Sequence, residues 1–187
     1  MKTTIVKQAT KGNLLISEPF LNDPCFKRTV VLLSEHNEEG STGFILNKPT
    51  DMNFNDGVTD FPDFNAPLYF GGPVNTDTLH YLHQFSTIEN AKEIIPGLFW
   101  GGEIEQIKMM MDTGQIKPGQ IRFFVGYSGW MPMQLNSEIR EKSWIISPAS
   151  VDSAFSTRPK MLWAEVLRSM GKEYAILANF PEDPSLN

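Results

Sequence analysis

Thr29-Val30-Val31-Leu32-Leu33, then His36-Asn37-Glu38-Glu39-Gly40, then Gly43-Phe44-Ile45-Leu46-Asn47, is the passage from which the rest of the chain can be read. The first run is β-branched and almost continuously apolar, the pattern of a strand buried on both faces. The polar segment after it and the second apolar run make an antiparallel hairpin. Upstream, Asn13-Leu14-Leu15-Ile16-Ser17 is a third short apolar strand. Downstream, Pro49 and the Asn/Asp-rich stretch to Asn65 read as loop, with one helical turn near Phe54. Leu68-Tyr69-Phe70 is a strand stopped by Gly71-Gly72-Pro73, and residues 79–85 and 98–100 read as two more. Helical spacing enters at residues 103–113, where Ile104, Ile107, Met110 and Met111 recur and Gly114 closes the segment. Residues 121–125 and 144–146 are strands on either side of a helix over 134–142, in which Glu138 and Lys142 are spaced i,i+4. A last helix has Pro159 in its first turn, Arg168 near its C-terminus and Gly171 just beyond. Residues 181–187 read as irregular. The expectation is one α+β domain over residues 1–187.

The chain has 187 residues, 41% of them hydrophobic and 20% charged, a globular composition that excludes collagen, coiled coil and disorder. About 70% of its surface can be buried at this length, so no metal or disulfide staple is required. Its apolar runs are far shorter than a bilayer span, and no apolar stretch follows the basic N-terminus, so neither membrane insertion nor secretion is expected. The single cysteine, Cys25, fits a reducing, cytoplasmic setting.

The charge of −6 is concentrated. Between residues 51 and 100, Asp51, Asp56, Asp60, Asp63, Asp77, Glu89 and Glu93 face a single basic residue, Lys92. A nucleic-acid binder needs clustered Lys and Arg to displace counterions, and the densest groups here are Lys27-Arg28 and Arg158-Pro159-Lys160. Direct nucleic-acid binding is therefore not expected.

The chemical motifs are weak. Gly126-Tyr127-Ser128-Gly129-Trp130 resembles a nucleophile elbow, but Trp130 stands where glycine is needed, and His36, His80 and His83 all precede the serine. A tight turn that lets Trp130 pack is the expectation. His80 and His83 are spaced oddly on a strand, which puts them on opposite faces, so no metal is expected. Gly71-Gly72-Pro73 and Gly101-Gly102-Glu103 read as strand-ending turns without a phosphate-binding lysine. Asp23-Pro24 with Lys27 and Arg28 reads as a turn anchored by a salt bridge. The run Met109-Met110-Met111 should bury one or two side chains. Cys25 lacks the surroundings of a reactive thiol.

Several segments together resemble the bacterial YqgE/AlgH family. They are Gly12-Asn-Leu-Leu-Ile-Ser17 through Asp23-Pro24 and Arg28-Thr-Val-Val-Leu-Leu33 to Asn47-Lys48-Pro49; Tyr69-Phe-Gly-Gly-Pro-Val74 with Leu82-His83; Phe124-Val-Gly-Tyr-Ser-Gly-Trp130 with Gln134-Leu135, Glu138 and Trp144; and Leu162-Trp163 to Gly171 with Pro184-Ser-Leu-Asn187. Ser128 departs from the family's usual alanine, and Met131, Met133 and Asn136 from its small residues and glutamate. The resemblance implies an α+β fold with a bent, bifurcated mixed sheet forming a partial barrel, flanked by helices. It supplies no catalytic residue and no cofactor. The family's usual label is transcriptional regulator, which this acidic chain would not serve by direct DNA binding.

Two sites follow as expectations. Asp56, Asp60 and Asp63 with Phe61 and Phe64 place aromatic anchors in a negative field, suited to a basic protein partner of a non-enzymatic regulatory or adaptor protein. Alternatively Asn47, Gly71, Gly72, Tyr127, Gln134 and Trp144 converge at strand ends around a small-ligand pocket.

Overall fold

A computed structural model describes residues 8–181. In chain order the elements are β1 (Asn13–Ser17), β2 (Val30–Asn37), β3 (Gly40–Ile45), β4 (Pro49–Asn53), α1 (Phe54–Gly57), β5 (Pro67–Phe70), β6 (Val74–His83), β7 (Lys92–Ile95), β8 (Leu98–Trp100), α2 (Ile104–Asp112), β9 (Ile121–Trp130), α3 (Gln134–Arg140), β10 (Trp144–Pro148), α4 (Val151–Ala154), α5 (Pro159–Ser169) and α6 (Lys172–Leu177). The fold is α+β, as expected. Of the expected irregular tail only Pro181 falls among the described residues.

The hairpin forms with a tighter turn than the polar stretch suggests. β2 continues through His36 and Asn37, Asn37 pairs with Gly40, and only Glu38 and Glu39 turn. Gly40 sits at φ +134°, where any Cβ would overlap the Trp130 carbonyl oxygen. Neighbouring residues of β1 and β2 point to opposite faces, and both faces are covered. Leu14, Ile16, Val30 and Leu32 pack with Trp163, Val166 and Leu167 of α5, whereas Leu15, Val31 and Leu33 pack with Leu135 and Ile139 of α3. That double coverage is why these strands read as unbroken apolar runs. A third cluster joins Phe54, Phe64 and Phe123 to Ile107, Met110 and Met111 of α2. Met110 and Met111 are thus core, and Met109 points to solvent.

Among the described residues ten strands form one mixed sheet, ordered β10-β1-β2-β3-β9-β6-β8-β7, with β4 and β5 branching off β9. β9 creates the fork. Its first half pairs with β5 in parallel, Leu68 opposite Phe123 and Phe70 opposite Val125. Its second half pairs with β3, Gly43 opposite Ser128 and Ser41 opposite Trp130. β6 runs along its other edge. The sheet also curls: Lys11 Nζ donates to the Glu93 carbonyl at 3.0 Å, and Gly12 lies against Ile94 and Ile95 of β7. No ladder joins β7 to β1 or β10 among the described residues, so the curl stays open.

Local differences from the sequence reading have physical causes. β9 does not stop at Val125, because Gly126 adopts φ +67° and carries the strand past the fork. β4, β7, α4 and α6 are short and polar or mixed in sequence, and they exist through pairing and docking rather than propensity. Asp23 makes no salt bridge to Lys27 or Arg28. Its carboxylate caps the amides of Cys25 and Phe26, while Arg28 lies over the Trp163 ring at 4.5 Å and donates to the Phe180 carbonyl.

Candidate functional site

Gly71-Gly72 and the Gly126-Tyr127-Ser128-Gly129 segment meet at the fork as packed backbone. A Cβ on Gly72 would overlap Tyr127, and one on Gly71 would overlap the Gly126 carbonyl oxygen. The Gly71 carbonyl accepts from the Ile45 amide at 2.9 Å and from the Ser128 hydroxyl at 3.0 Å. Ser128 is wholly buried, and its hydroxyl is committed to this fork. These glycines therefore let two strands pass in contact and leave no cradle between them. Asn47 is likewise a brace: its Oδ1 accepts from the Val30 amide and its Nδ2 donates to the Arg28 carbonyl, both at 2.9 Å.

Gln134 and Trp144 do converge, through a residue the sequence reading assigned elsewhere. The Glu138 carboxylate accepts from Trp144 Nε1 at 2.7 Å and Trp130 Nε1 at 2.9 Å on one oxygen, and from Gln134 Nε2 at 2.9 Å on the other. Glu138 was expected to pair with Lys142. α3 instead ends at Arg140, and Lys142 turns away at φ +65°. The two indoles meet edge to face at 6.0 Å, with Phe26 beside both. Gln134 Oε1 also accepts from the Met131 amide at 2.9 Å. The turn between β9 and α3 is therefore fixed from below by three N–H donors on one carboxylate. Met133 is held there at φ +64°, a conformation that a side chain adopts only when its surroundings enforce it.

On top of this turn, Met131 and Met133 are 73% and 64% exposed. They rim a groove of about 670 Å³ whose other lining includes His36, Glu38, Ser41, Leu135 and Ile139. An adjoining recess of about 410 Å³ runs past Glu39, Thr42, Val74 and Tyr127. Of the expected ligand residues, Tyr127 lines this recess, and Trp144 lines a separate groove along β10. A Met-Pro-Met sequence that cannot continue a strand was the available signal for the rim. The half-buried carboxylate had little local signature, because both indole donors come from other elements, β9 and β10, and only Gln134 lies on its own helix.

The acidic loop is arranged differently. Phe54 is fully buried and stacks on Phe123 at 3.9 Å, Phe64 is 7% exposed, and Phe61 stands edge-on to Phe54 at 5.0 Å. Phe61 and Phe64 face the core, where Phe123 and α2 offer an apolar surface, and so they do not stand out as anchors. Asp56 receives the Asn53 amide at the start of α1, and Asp60 pairs with Lys108 at 2.8 Å, which lowers its pKa. Asp63 stays exposed.

The histidines divide as the strand reading implies. His83 is buried, its Nε2 2.8 Å from the Gly101 carbonyl oxygen, and burial pushes its pKa down. His80 is half-buried between Phe44 and Tyr127, and desolvation lowers its pKa as well. No cluster of three metal-ligating side chains occurs among the described residues. None of the described helices is long and apolar enough to cross a membrane.

Comparison with known proteins agrees with the family resemblance. The chain is 47% identical over 177 residues to a UPF0301 protein of Chlorobaculum tepidum, covering 94% of this chain and 95% of that one. It is 42% identical over 180 residues to a UPF0301 protein of Cytophaga hutchinsonii, covering 95% and 99%. The solution structure of the AlgH protein from Pseudomonas aeruginosa superposes with a TM-score of 0.72 at 26% identity, over 94% of this chain and 98% of that one. A crystal structure of a Corynebacterium diphtheriae protein shares the fold at a TM-score of 0.78 and 22% identity, over 93% and 94%. The family model described as AlgH-like matches residues 14–175, from the first core strand into the last helix, and the chain belongs to that AlgH-like family.

Proposed function

We propose that this chain is a non-enzymatic regulatory adaptor that grips a basic segment of a partner protein across the Met131–Met133 groove. The observation that carries the reading is the pair of solvent-facing methionines on a turn fixed by Glu138, Trp130 and Trp144. Thioether side chains adapt to varied apolar surfaces, and a rigid base lowers the entropic cost of presenting them. Glu38 and Glu39, exposed at the hairpin tip, line the groove and its recess and outnumber Arg140 at the α3 side of the groove, which supports a basic partner. Ser128, the one hydroxyl in a nucleophile-like motif, is buried and bonded to a carbonyl, which supports the non-enzymatic side of the reading. The test is retrieval of bound proteins on a tagged chain after nuclease treatment, beside the Met131→Glu/Met133→Glu and Glu38→Lys/Glu39→Lys variants. A near-stoichiometric partner with a basic contact segment, lost from both variants while their melting temperatures hold, is expected. Equal retention by the variants, or an empty bait, would overturn the reading.

The recess beside Tyr127 favours a second reading, a small ligand held between the aromatic ring and the hydroxyls of Ser41 and Thr42. A ligand bound only by the native state raises the melting temperature, so a metabolite panel checks it. A panel without any shift at millimolar ligand removes it.

A further inference from the structure

Among the described residues β10 is an end strand of the sheet, paired with β1 alone. Its hydrogen-bonding phase follows from the bonds just outside it. The Glu18 amide donates to the Ser143 carbonyl and the Ala149 amide to the Gly12 carbonyl, so Ser143 and Ala149 face β1. Antiparallel alternation then turns Ile145 and Ser147 toward β1 and Trp144 and Ile146 away from it. The Ile146 amide and carbonyl therefore point out of the sheet, and neither has a backbone partner on that side among the described residues. An unpaired edge of this kind is a template for another strand.

The space beside that edge is shaped accordingly. A groove of about 1040 Å³ touches all five consecutive residues of β10. Successive strand residues alternate between faces, so a groove that meets every one of them runs along the edge rather than over a face. Ile139 and Arg140 of α3 form one wall, and Met170, Tyr174 and Leu177 around α5 and α6 form the other. At the end where β10 begins, Arg140 and Lys142 line the groove, and Glu18 is the one carboxylate on its lining among the described residues. Neither cation makes an ion pair among the described residues.

We infer that β10 accepts an extended segment of a partner protein as an added strand, and that this segment carries acidic residues at the end lying beside Arg140 and Lys142. Main-chain hydrogen bonds to Ile146 supply the pairing, the two apolar walls take alternate side chains, and the two cations set the polarity. This site shares Ile139 and Arg140 with the lining of the methionine groove, but it is built on the β10 edge and calls for the opposite charge, so the Ile146 amide, which the methionine groove does not touch, reports on it separately from that reading. In an antiparallel edge-to-edge pairing of two copies, Arg140 and Lys142 would meet the Pro148 end of the other β10, which carries no carboxylate, so a second copy does not supply the acidic tip.

The test follows the Ile146 amide resonance in the isotopically labelled full chain. Three synthetic peptides of alternating threonine and valine are titrated: one ending in two glutamates, one ending in two lysines, and a fully N-methylated copy of the first. The expected result is that the glutamate-tipped peptide shifts Ile146 and slows its amide exchange, the N-methylated copy does neither, and the lysine-tipped peptide binds roughly fivefold more weakly. In the Arg140→Glu/Lys142→Glu variant the charge preference reverses. The inference is overturned if Ile146 stays unmoved at millimolar peptide, if the N-methylated copy binds as well, or if the two tips bind alike. It is equally overturned if sedimentation shows a dimer whose Ile146 amide is already protected without peptide, since the edge would then belong to a second copy. Because N-methylation changes only the peptide, the outcome does not depend on a disruptive edge variant folding.

Discussion

The loop of residues 54–66 and the turn of residues 130–138 hold similar ingredients, large apolar side chains set among charged ones. In the loop, Phe54, Phe61 and Phe64 close on Phe123, and the carboxylates of Asp56, Asp60 and Asp63 are left outside. In the turn the arrangement is reversed: the carboxylate of Glu138 lies within, and Met131 and Met133 lie outside. The difference comes from what each segment finds beneath it. Under the loop is an apolar surface made by Phe123 and the buried face of α2, which takes the rings and leaves the carboxylates at the rim, where Lys108 of α2 meets Asp60. Under the turn are two indole N–H groups and a glutamine amide, which a carboxylate satisfies and a methionine cannot. Surface chemistry is thus set by the unsatisfied groups of the layer below, not by local composition.

The sharpest way to break this contrast is to damage each interior separately. Phe54→Ala removes a fully buried ring stacked on Phe123 and should cost about 3–5 kcal/mol in a urea titration. A loss below about 1 kcal/mol would mean that the loop sits on the core without being held by it. Glu138→Ala strands two partly buried indole N–H groups and should cost about 1–3 kcal/mol. The indole resonances of Trp130 and Trp144 should move in the second variant and stay in place in the first. Glu138→Gln, which keeps an acceptor oxygen, should recover part of the loss.

A smaller effect separates the two halves by pH. His83 lies near the loop side, its ring 6.3 Å from Tyr81, which in turn meets Phe123. Its pKa is depressed in the folded chain, chiefly by burial and against the opposing pull of the Gly101 carbonyl. Below the ordinary value of 6.5 the unfolded chain therefore binds more protons than the folded one, so stability is full above 6.5 and falls as the pH drops toward the depressed value. His80 acts in the same direction through its own desolvation. His83→Gln should flatten this slope without abolishing it, as read from denaturation midpoints at successive pH values. An unchanged slope would assign the acid sensitivity to His80 and to the carboxylates.

β1 and β2 were legible because double coverage demands unbroken apolar runs, and β3 was legible only in its second half, Gly43-Phe44-Ile45, since its first half is Gly40-Ser41-Thr42. β4 was not, since Pro49-Thr50-Asp51-Met52-Asn53 is strand only by virtue of lying against β5. The family resemblance found the right motif segments, and Gly71, Gly72 and Tyr127 do meet. It did not tell a ligand pocket from a fork, because close backbone approach calls for glycine in either case. Phe61 and Phe64 were misplaced for a related reason. A ring beside an aspartate reads the same whether it faces in or out, and the deciding surface, Phe123 with α2, lies more than forty residues away in sequence.

The finest test of the contrast leaves the fold untouched. Met131→Ser/Met133→Ser changes two exposed side chains that contribute little to packing, so stability should stay within about 0.5 kcal/mol of the parent chain. Asp60→Asn/Asp63→Asn should also leave the melting temperature unchanged, because both side chains are exposed and Lys108 keeps Glu105 at 3.0 Å when the Asp60 charge is lost. Both pairs are invisible to a folding assay, and they differ only in what a partner meets. If the apolar rim is the contact, the methionine pair weakens partner retention several-fold and the aspartate pair affects it mainly at low salt, through a long-range field that ions screen. Retention that fails with the aspartates and survives the loss of both methionines would invert the assignment. It would return the acidic loop to the interface as a charged surface with its aromatic anchors facing inward.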